Sequence, residues 1–391
     1  MRSIREIELT DRRVLMRVDF NVPMDKEGNI TDDARITAAI PTIQYISGQG
    51  ASLVLMSHLG RPDGQKSEKY SLKPVAAHLG ELLQKEVKMA DDCIGAQVKA
   101  AVDQLKGGEI MLLENVRFHK EEEENDIDFS KKLAALGDVF VNDAFGTAHR
   151  AHASTAGVAA FLPAYAGFLL ENEVKMLRQV MEHPESPRVA ILGGAKIKDK
   201  LGLIRNLLDK MDILLIGGGM ANTFLKAQGI GIGRSICEDK LLDEAKNLLL
   251  TAEGQHKKII LPLDAVVADT LSDDAAASIH DINAIPEDMM ILDIGPQTNA
   301  VFSREIARAH TIIWNGPVGA YEYKQFTAGT DAIARAMAAS DAVTVIGGGD
   351  SAAAVHKLNL DKEFTHISTG GGATLEFLEG KNLPGVKSCE W

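Results

Sequence analysis

Four apolar runs in the second half of the chain each stop at a cluster of glycines. Val189–Leu192 meets Gly193-Gly194, and Ile213–Ile216 meets Gly217-Gly218-Gly219. Val343–Ile346 meets Gly347-Gly348-Gly349, and His366–Thr369 meets Gly370-Gly371-Gly372. A buried strand that ends in glycine and restarts as a helix is the arrangement that holds phosphates. Glycine lets the backbone approach an anion, and a helix start offers unpaired N–H groups and the positive end of the dipole. Four such turns in one stretch predict a sheet edge lined with turns for a phosphate-bearing ligand.

The rest of the chain alternates strand and helix, the pattern of parallel sheets with helices on both faces. Strands are predicted at Val14–Asp19, Ser52–Ser57, Glu109–Leu113 and Asp138–Asn142. Further strands are predicted at Val189–Leu192, Asp212–Ile216, Lys258–Leu261, Met289–Asp293, Thr311–Trp314, Ala342–Ile346 and Thr365–Ser368. Leu72, Val75, Ala76, Leu79, Leu82 and Leu83 form a helical stripe within Leu72–Gln84, and Ile94–Leu105 reads as another helix. Ala166 to Glu182 reads as one long helix, and the breaker segment His183–Pro187 follows it. The acidic run Glu121–Glu124 reads as a solvated loop or helix start.

At 391 residues the chain has room for two domains, and its composition, 45% hydrophobic and 25% charged, is that of a globular protein. A net charge of −13 argues against a general nucleic-acid or anionic-membrane surface, so an anionic ligand needs a local basic pocket. Cys93, Cys237 and Cys389 are far apart and lack CxxC spacing. They read as reduced thiols of a cytoplasmic protein, neither a disulfide frame nor a zinc site. Met1–Glu8 lacks the apolar core of a signal peptide, and the 13 residues Val158–Leu170 are too few to span a bilayer.

The first half carries a different chemistry, with arginines and histidines in polar loops after strands. Asp19 and Asn21 follow the first strand and suit hydroxyl groups. Arg35 opens the next helical segment, His58 and Arg61 follow the second strand, Arg117 the third and Arg150 the fourth. Ligands of open α/β sheets sit beyond the carboxyl ends of the strands, so these groups are placed to converge on one anion. His149 and His152 read at least as well as structural hydrogen-bonding groups and are left outside that site. In the second half, Asp350 suits either a magnesium ligand beside phosphates or a helix N-cap. No Walker A loop occurs. Gly347-Gly348-Gly349-Asp350-Ser351-Ala352 fits G-x-G-x-x-A, but no acid ends the following strand, which weakens a dehydrogenase reading.

Taken together, RVDFNVP at Arg17–Pro23, SHLGRP at Ser57–Pro62, ENVRF at Glu114–Phe118, NDAFGTAHRAHAS at Asn142–Ser154, LGGAK at Leu192–Lys196, GGGMANTF at Gly217–Phe224, NGPVGAYE at Asn315–Glu322, IGGGDS at Ile346–Ser351 and STGGGATLEFLEG at Ser368–Gly380 closely resemble the signature blocks of phosphoglycerate kinases, in family order over nearly the whole chain. The resemblance implies two doubly wound, Rossmann-like α/β domains with parallel sheets, joined by a long helix at 171–182 and separated by an inter-domain cleft. Residues 1–170 would hold the glycerate, with the tail 380–391 packed back on them, and residues 171–379 would hold Mg²⁺ and ADP or ATP. The implied reaction is reversible phosphoryl transfer from 1,3-bisphosphoglycerate to ADP, giving 3-phosphoglycerate and ATP, by a cytoplasmic monomer with no nucleic-acid or membrane partner.

By the same resemblance Asp19, Phe20, Asn21, Arg35, His58, Leu59, Gly60, Arg61, Arg117 and Arg150 surround the glycerate. Gly193, Gly194, Lys196, Lys200, Gly217, Gly218, Asn315, Pro317, Glu322, Gly348, Gly349, Asp350 and Ser351 surround the nucleotide, with Glu322 at the ribose and Asp350 at the metal. Arg35, Lys196, Gly371 and Gly372 would enclose the group in flight. Ala320-Tyr321 departs from the larger aliphatic residue and Phe frequent in the family, and Lys387–Trp391 is idiosyncratic. A nicotinamide-dependent dehydrogenase and a non-catalytic phospho-metabolite sensor are the competing readings.

Overall fold

The computed structural model describes residues 1–390; Trp391 lies outside the described residues. The chain divides into two compact units, residues 1–175 with the tail from 382, and residues 176–381. Each is an α/β layer structure and each is described by itself.

In the first unit the chain runs β1 (Arg13–Arg17), α1 (Ala34–Gly48), β2 (Ser52–Met56), α2 (Lys73–Leu83), β3 (Val87–Met89), α3 (Ala96–Asp103), β4 (Ile110–Leu112), α4 (Ile127–Ala134), β5 (Val139–Asn142), β6 (Ala164–Ala166) and α5 (Phe168–Glu182). Six strands make one parallel sheet in the order β3-β4-β2-β1-β5-β6. The central strands β1, β2 and β5 are short, mostly apolar runs buried on both faces, as a helix-covered parallel sheet requires, and the edge strand β3 is half-buried. The order reverses between β1 and β5, which creates a switch point at the carboxyl edge.

The second unit continues with β7 (Arg188–Leu192), α6 (Leu201–Lys210), β8 (Ile213–Ile216), α7 (Gly218–Ala227), α8 (Leu242–Gly254), β9 (Lys258–Ile260), β10 (Asp264–Ala268), β11 (Ser278–Asp281), β12 (Met290–Ile294), α9 (Pro296–Arg308), β13 (Thr311–Asn315), α10 (Ala328–Ala338), β14 (Val343–Gly347), α11 (Gly349–Lys357), β15 (His366–Ile367) and α12 (Gly372–Leu378). Its six-stranded parallel sheet has the order β15-β14-β13-β7-β8-β9, with the switch point between β7 and β13. Trp314 on β13 is fully buried and packs with Phe302, Ile333 and Met337 from α9 and α10. Large side chains like these each contribute about 1.5–3 kcal/mol by leaving water. Among the described residues no helix is long and apolar enough to cross a membrane.

The structure corrects several sequence expectations. Not every strand is parallel: β10, β11 and β12 form a separate antiparallel sheet, so Met289–Asp293 belongs to a different layer from its neighbours in the sequence. The short strands β3 and β6 were not foreseen. Ala166 ends β6 and so lies outside the long helix, which starts at Phe168. The acidic run is not wholly solvated, since Glu122 is completely buried.

The start of α5 shows why the helix begins there. Asp143 Oδ1 accepts hydrogen bonds from the N–H groups of Leu169 (2.8 Å) and Leu170 (3.2 Å), and Thr42 Oγ1 accepts from Phe168 N (3.0 Å). These are unpaired donors of the first turn. A Cβ at Gly167 would lie 2.3 Å from Asp143 Oδ1, so the close cap depends on glycine. The tail helix α13 (Pro384–Lys387) docks on this unit: Gly385 N donates to Ala148 O (2.8 Å) and Asn142 Nδ2 to Gly385 O (3.1 Å).

Burial pushes the Asp143 carboxyl up to about 7 against its backbone hydrogen bonds. The folded state therefore holds this proton at pH values where the unfolded chain has lost it. The stabilisation is fully present below pH ~4 and is lost as pH rises through 7. Asp143→Asn, which mimics the protonated form, is expected to abolish roughly 2–3 kcal/mol of stability loss between pH 5 and pH 8. Urea unfolding of both proteins at the two pH values checks this; equal losses would refute it.

Candidate functional site

At the carboxyl edge of the first sheet, a full positive charge is buried at the end of β1. Arg17 is 1% exposed. Its Nη1 donates to Val18 O, its Nε to Ser154 Oγ (2.8 Å), and its Nη2 faces His58 Nδ1 at 3.2 Å. A guanidinium can only donate, so His58 Nδ1 accepts and the ring is neutral with its proton on Nε2. The energetics agree. Burial, and then the charges of Arg17, Arg117, Arg35 and Arg150, hold His58 well below the usual histidine range. The 4.0 Å approach of His58 Nδ1 to Asp19 Oδ1 is accordingly no ion pair.

The same electrostatics show which of the sequence-predicted groups the fold gathers. Arg35, Arg117 and Arg150 all bear on His58, and Arg150 and Arg61 bear on Arg117. Arg35 Nη1 is held by Asp19 Oδ2 at 2.7 Å, while Arg61 is exposed. The loops are tied to each other by their backbones. Phe20 N donates to Ser57 Oγ (2.9 Å), Gly60 N to Asn21 Oδ1 (2.9 Å), Arg117 Nη1 to Gly60 O (3.0 Å) and Asn115 Nδ2 to Leu59 O (2.7 Å). Gly60 has φ of +62°, and a Cβ there would strike the Tyr70 ring at 2.4 Å. Thus Asp19 and Asn21 bond to an arginine and a loop N–H as well as being suited to hydroxyls.

His149 Nε2 accepts from Arg150 Nε (3.3 Å). His152 is driven down to about 4, first by burial and then by Arg117 and Arg150. Elsewhere in this unit Cys93 lies beside Asp92 and His119, with ligand atoms within 4.8 Å of one another, a juxtaposition that spacing alone did not reveal. His119 is already bonded to Asp92 at 2.7 Å, and burial raises the Cys93 thiol well above its usual range.

In the second unit the glycine turns lock into each other at the switch point. Gly193 N donates to Asn315 O (3.0 Å), Gly194 N to Pro317 O (2.9 Å), Gly217 N to Leu192 O (2.9 Å) and Gly218 N to Val318 O (2.8 Å). A Cβ on Gly193 would lie 2.0 Å from Pro317 O, and one on Gly218 (φ +68°) 2.8 Å from Gly194 O. The Lys200 ammonium sits inside this frame, donating to Gly193 O (2.6 Å) and Asn315 O (3.1 Å). Burial lowers it to about 8 against the opposing pull of Asp350 and Asp199. Ser351 Oγ accepts from Gly316 N (2.7 Å), and Asn315 Nδ2 donates to Gly347 O (2.9 Å).

A cavity of about 360 Å³ opens beside these turns. Gly194, Gly218, Pro317, Glu322 and Asp350 line it, as does Ala320. Its apolar wall comes from Ile236, Leu271 and the strand Met290–Ile294. An apolar slot beside phosphate-type turns has the character of a nucleoside site. Lys196 is exposed, and Gly371 (φ +52°) stands just before α12. Asp350 is not the N-cap of α11. Gly348 holds that position with φ of +95°, and Asp350 lies in the first turn, its carboxylate exposed and charge-coupled to Lys200.

A family model described as phosphoglycerate kinase matches residues 4–381. The chain belongs to the phosphoglycerate kinase family. It is 53% identical to the phosphoglycerate kinase of Moorella thermoacetica, covering 98% of both chains. It is 51% identical to that of Borrelia hermsii over 100% of this chain and 99% of the relative. Among solved structures it resembles the phosphoglycerate kinase of Coxiella burnetii, with a TM-score of 0.93, 46% identity and coverage of 99% and 98%. It also resembles that of Pyrococcus horikoshii, with a TM-score of 0.84, 35% identity and coverage of 100% and 98%.

Against that family background, the sequence reading overlooked two parts of the sites. One is the support beneath the arginines: Arg17, Ser57, Ser154 and Glu122. Arg17 carried a signal, as a charge inside an apolar strand. The other is the apolar wall, which is invisible locally because β12 pairs in a separate sheet and Ile236 and Leu271 come from distant loops. At Ala320-Tyr321, Ala320 faces the cavity, while Lys357 Nζ lies 5.0 Å from the centre of the Tyr321 ring.

Gly316, with φ of +93°, tests the interlocked turns. A Cβ there would lie 2.5 Å from Gly193 O and 2.6 Å from Lys200 Nζ. Gly316→Ala is expected to lose more than ~2 kcal/mol, because strained backbone and steric conflict add. Thermal unfolding followed by circular dichroism checks this, and an unchanged Tm would show that the turns yield easily.

Proposed function

We propose that this chain transfers a phosphoryl group reversibly between 1,3-bisphosphoglycerate and ADP, giving 3-phosphoglycerate and ATP. Family membership across residues 4–381 carries this reading. The chemistry of the sites supports it. In the first unit, Arg35, His58, Arg61, Arg117 and Arg150, with the loop groups of Asp19, Phe20, Asn21, Leu59 and Gly60, would bind the glycerate. Arginine forks suit both its carboxylate and its phosphate.

In the second unit the apolar cavity would take the adenine, Glu322 the ribose, and the turns at Gly193-Gly194, Gly217-Gly218 and Gly348–Ser351 with Lys200 the phosphates. Asn315 and Pro317 shape this frame. The exposed Asp350 carboxylate beside it is the hard oxygen donor that Mg²⁺ accepts together with nucleotide phosphates. When bound, the ion would supply neutralisation of phosphate charge.

The transfer requires no general base. A terminal phosphate oxygen of ADP, already anionic, attacks phosphorus. The bond to the acyl oxygen breaks, and the carboxylate leaves with the electron pair. What remains for the protein is positioning and charge neutralisation. Arg35, Lys196 and the N–H groups of Gly371 and Gly372 are assigned to the group in flight. The two ligands, bound to separate units, must be brought together, and closure would also keep water from the acyl phosphate. The enzyme is expected to act as a cytoplasmic monomer.

ATP-dependent phosphorylation of 3-phosphoglycerate, coupled to NADH oxidation, tests the function, and absence of turnover would refute it. Lys196→Ala should lower kcat by about 10²–10³ with little change in ADP affinity. Near-normal turnover would remove Lys196 from the mechanism. Lys200, with its ammonium at about 8, should gain proton on meeting phosphate. Calorimetry of ADP binding at pH 8.5 in buffers of different ionisation enthalpy should therefore show proton uptake, lost in Lys200→Met. Small-angle scattering should show compaction only with both substrates.

A further inference from the structure

The arginine cluster of the first unit rests on a buried carboxylate five residues beyond Arg117 in the connection between β4 and α4. Glu122 is completely inaccessible. Its Oε2 accepts from Ser154 N at 2.8 Å and its Oε1 from Ser154 Oγ at 2.5 Å. Ser154 Oγ in turn accepts from Arg17 Nε at 2.8 Å, and Arg17 Nη2 donates to His58 Nδ1 at 3.2 Å.

Three side-chain hydrogen bonds run in series from His58 through Arg17 and Ser154 to Glu122. The guanidinium can only donate, so Ser154 Oγ accepts from it and gives its own hydrogen to Glu122 Oε1; burial raises the Glu122 carboxyl, and Arg17 and the Ser154 hydrogen bonds oppose that rise. Both Glu122 oxygens therefore act as acceptors, as a carboxylate does. At the other end, His58 Nδ1 must accept, which leaves the proton on Nε2. Among the described residues no hydrogen bond to Nε2 is seen, and His58 keeps 4% of its surface exposed. Burial first, and then Arg17, Arg117, Arg35 and Arg150, disfavour a second proton on the ring.

We propose that Glu122, acting through Ser154 and Arg17, is a positioning residue that fixes the His58 ring as a neutral Nε2–H donor toward the anionic substrate. The proposal rests on the glycerate-binding reading of this site for its substrate. The relay answers a physical difficulty of the cluster. Like charges repel, and an arginine buried behind four others needs a counter-ion that leaves the ligand-facing side free. Asp19 already pairs with Arg35 and bears on Arg17 from the loop after β1, and a second carboxylate there would compete further with the ligand. One placed behind Arg17 holds the guanidinium in register, and Arg17 then dictates the tautomer of the histidine. The arrangement turns His58 from a titrating group into a fixed hydrogen-bond donor.

The test reads the tautomer directly. In ¹⁵N-labelled, ligand-free protein, long-range ¹H–¹⁵N correlation should show His58 as Nε2–H alone. In Ser154→Ala, which cuts the relay without touching the buried charge, and in Glu122→Gln, which sets an amide against a backbone donor, Nδ1–H or imidazolium forms should appear. The dissociation constant for 3-phosphoglycerate should rise about tenfold, the weight of one charge-assisted hydrogen bond, with that for ADP unchanged. Ser154→Thr should restore both.

A His58 ring that stays wholly Nε2–H in the folded Ser154→Ala protein, or glycerate affinity unaltered there, would overturn the proposal. Should Glu122→Gln not fold, Ser154→Ala decides alone. The tautomer readout needs no substrate. A wild-type protein that fails to bind 3-phosphoglycerate would defeat the functional reading, and the tautomer shift would still decide the relay.

Discussion

Burying the Arg17 guanidinium at the tip of β1 is the constraint around which the first unit is arranged. A charge at 1% exposure is tolerated only when nearly every donor finds an acceptor and a counter-ion is close. The acceptors come from three separated segments: Val18 from the strand's own continuation, His58 from the loop after β2, and Ser154 from the loop after β5. Since β1 lies between β2 and β5, one long side chain stitches together the loops that flank the switch point. His58 and Ser154 thereby inherit fixed positions from a residue with almost no surface of its own.

The second unit solves a comparable problem without buried cations in its frame, apart from Lys200. Its edge is made by backbone touching backbone at Gly193, Gly194, Gly217 and Gly218, where side chains have no room. The difference follows from how an anion can be met. Guanidinium forks bring net positive charge that must be balanced from behind. Backbone N–H groups and helix starts bring partial charges and no net charge, so they need no counter-ion. In the first unit Glu122 supplies balancing charge to Arg17 from inside, with Asp19 as a second acidic neighbour.

How far these features could be read from the sequence depends on how local their causes are. Most strands of the parallel sheets were legible because each is an apolar run with its own breaker, while the three-residue edge strands β3 and β6 are too short to show one. The glycine turns were legible because their composition is their mechanism. Strand ends located the arginines, since a residue just past a strand is placed by the sheet whatever its neighbours do. The antiparallel sheet β11-β10-β12 was not legible, because nothing in Met290–Ile294 says with which sheet it pairs, and its partners Ala265–Ala268 lie on the same chain stretch as polar loops. That sheet supplies the apolar wall of the cavity, so the least legible part of the fold carries the least legible part of the site.

Glu122 shows the same limit at the scale of one residue. In Glu121–Glu124 four carboxylates look alike, and a run of charge reads as solvated. The fold separates them: Glu122 turns inward to Ser154, Glu123 Oε1 reaches Arg117 Nε at 3.4 Å, and Glu124 is exposed. What selects Glu122 is the position of Arg17, 105 places earlier in the chain, and no window around the acidic run contains that information. Charge can be counted in a sequence, but its compensation is a tertiary property. A carboxylate near a basic ligand site therefore weakens the site when it shares the ligand's face and strengthens it when it stands behind the cations. Glu122 stands behind Arg17, bonded through Ser154, and its place is set by that contact and not by the acidic run.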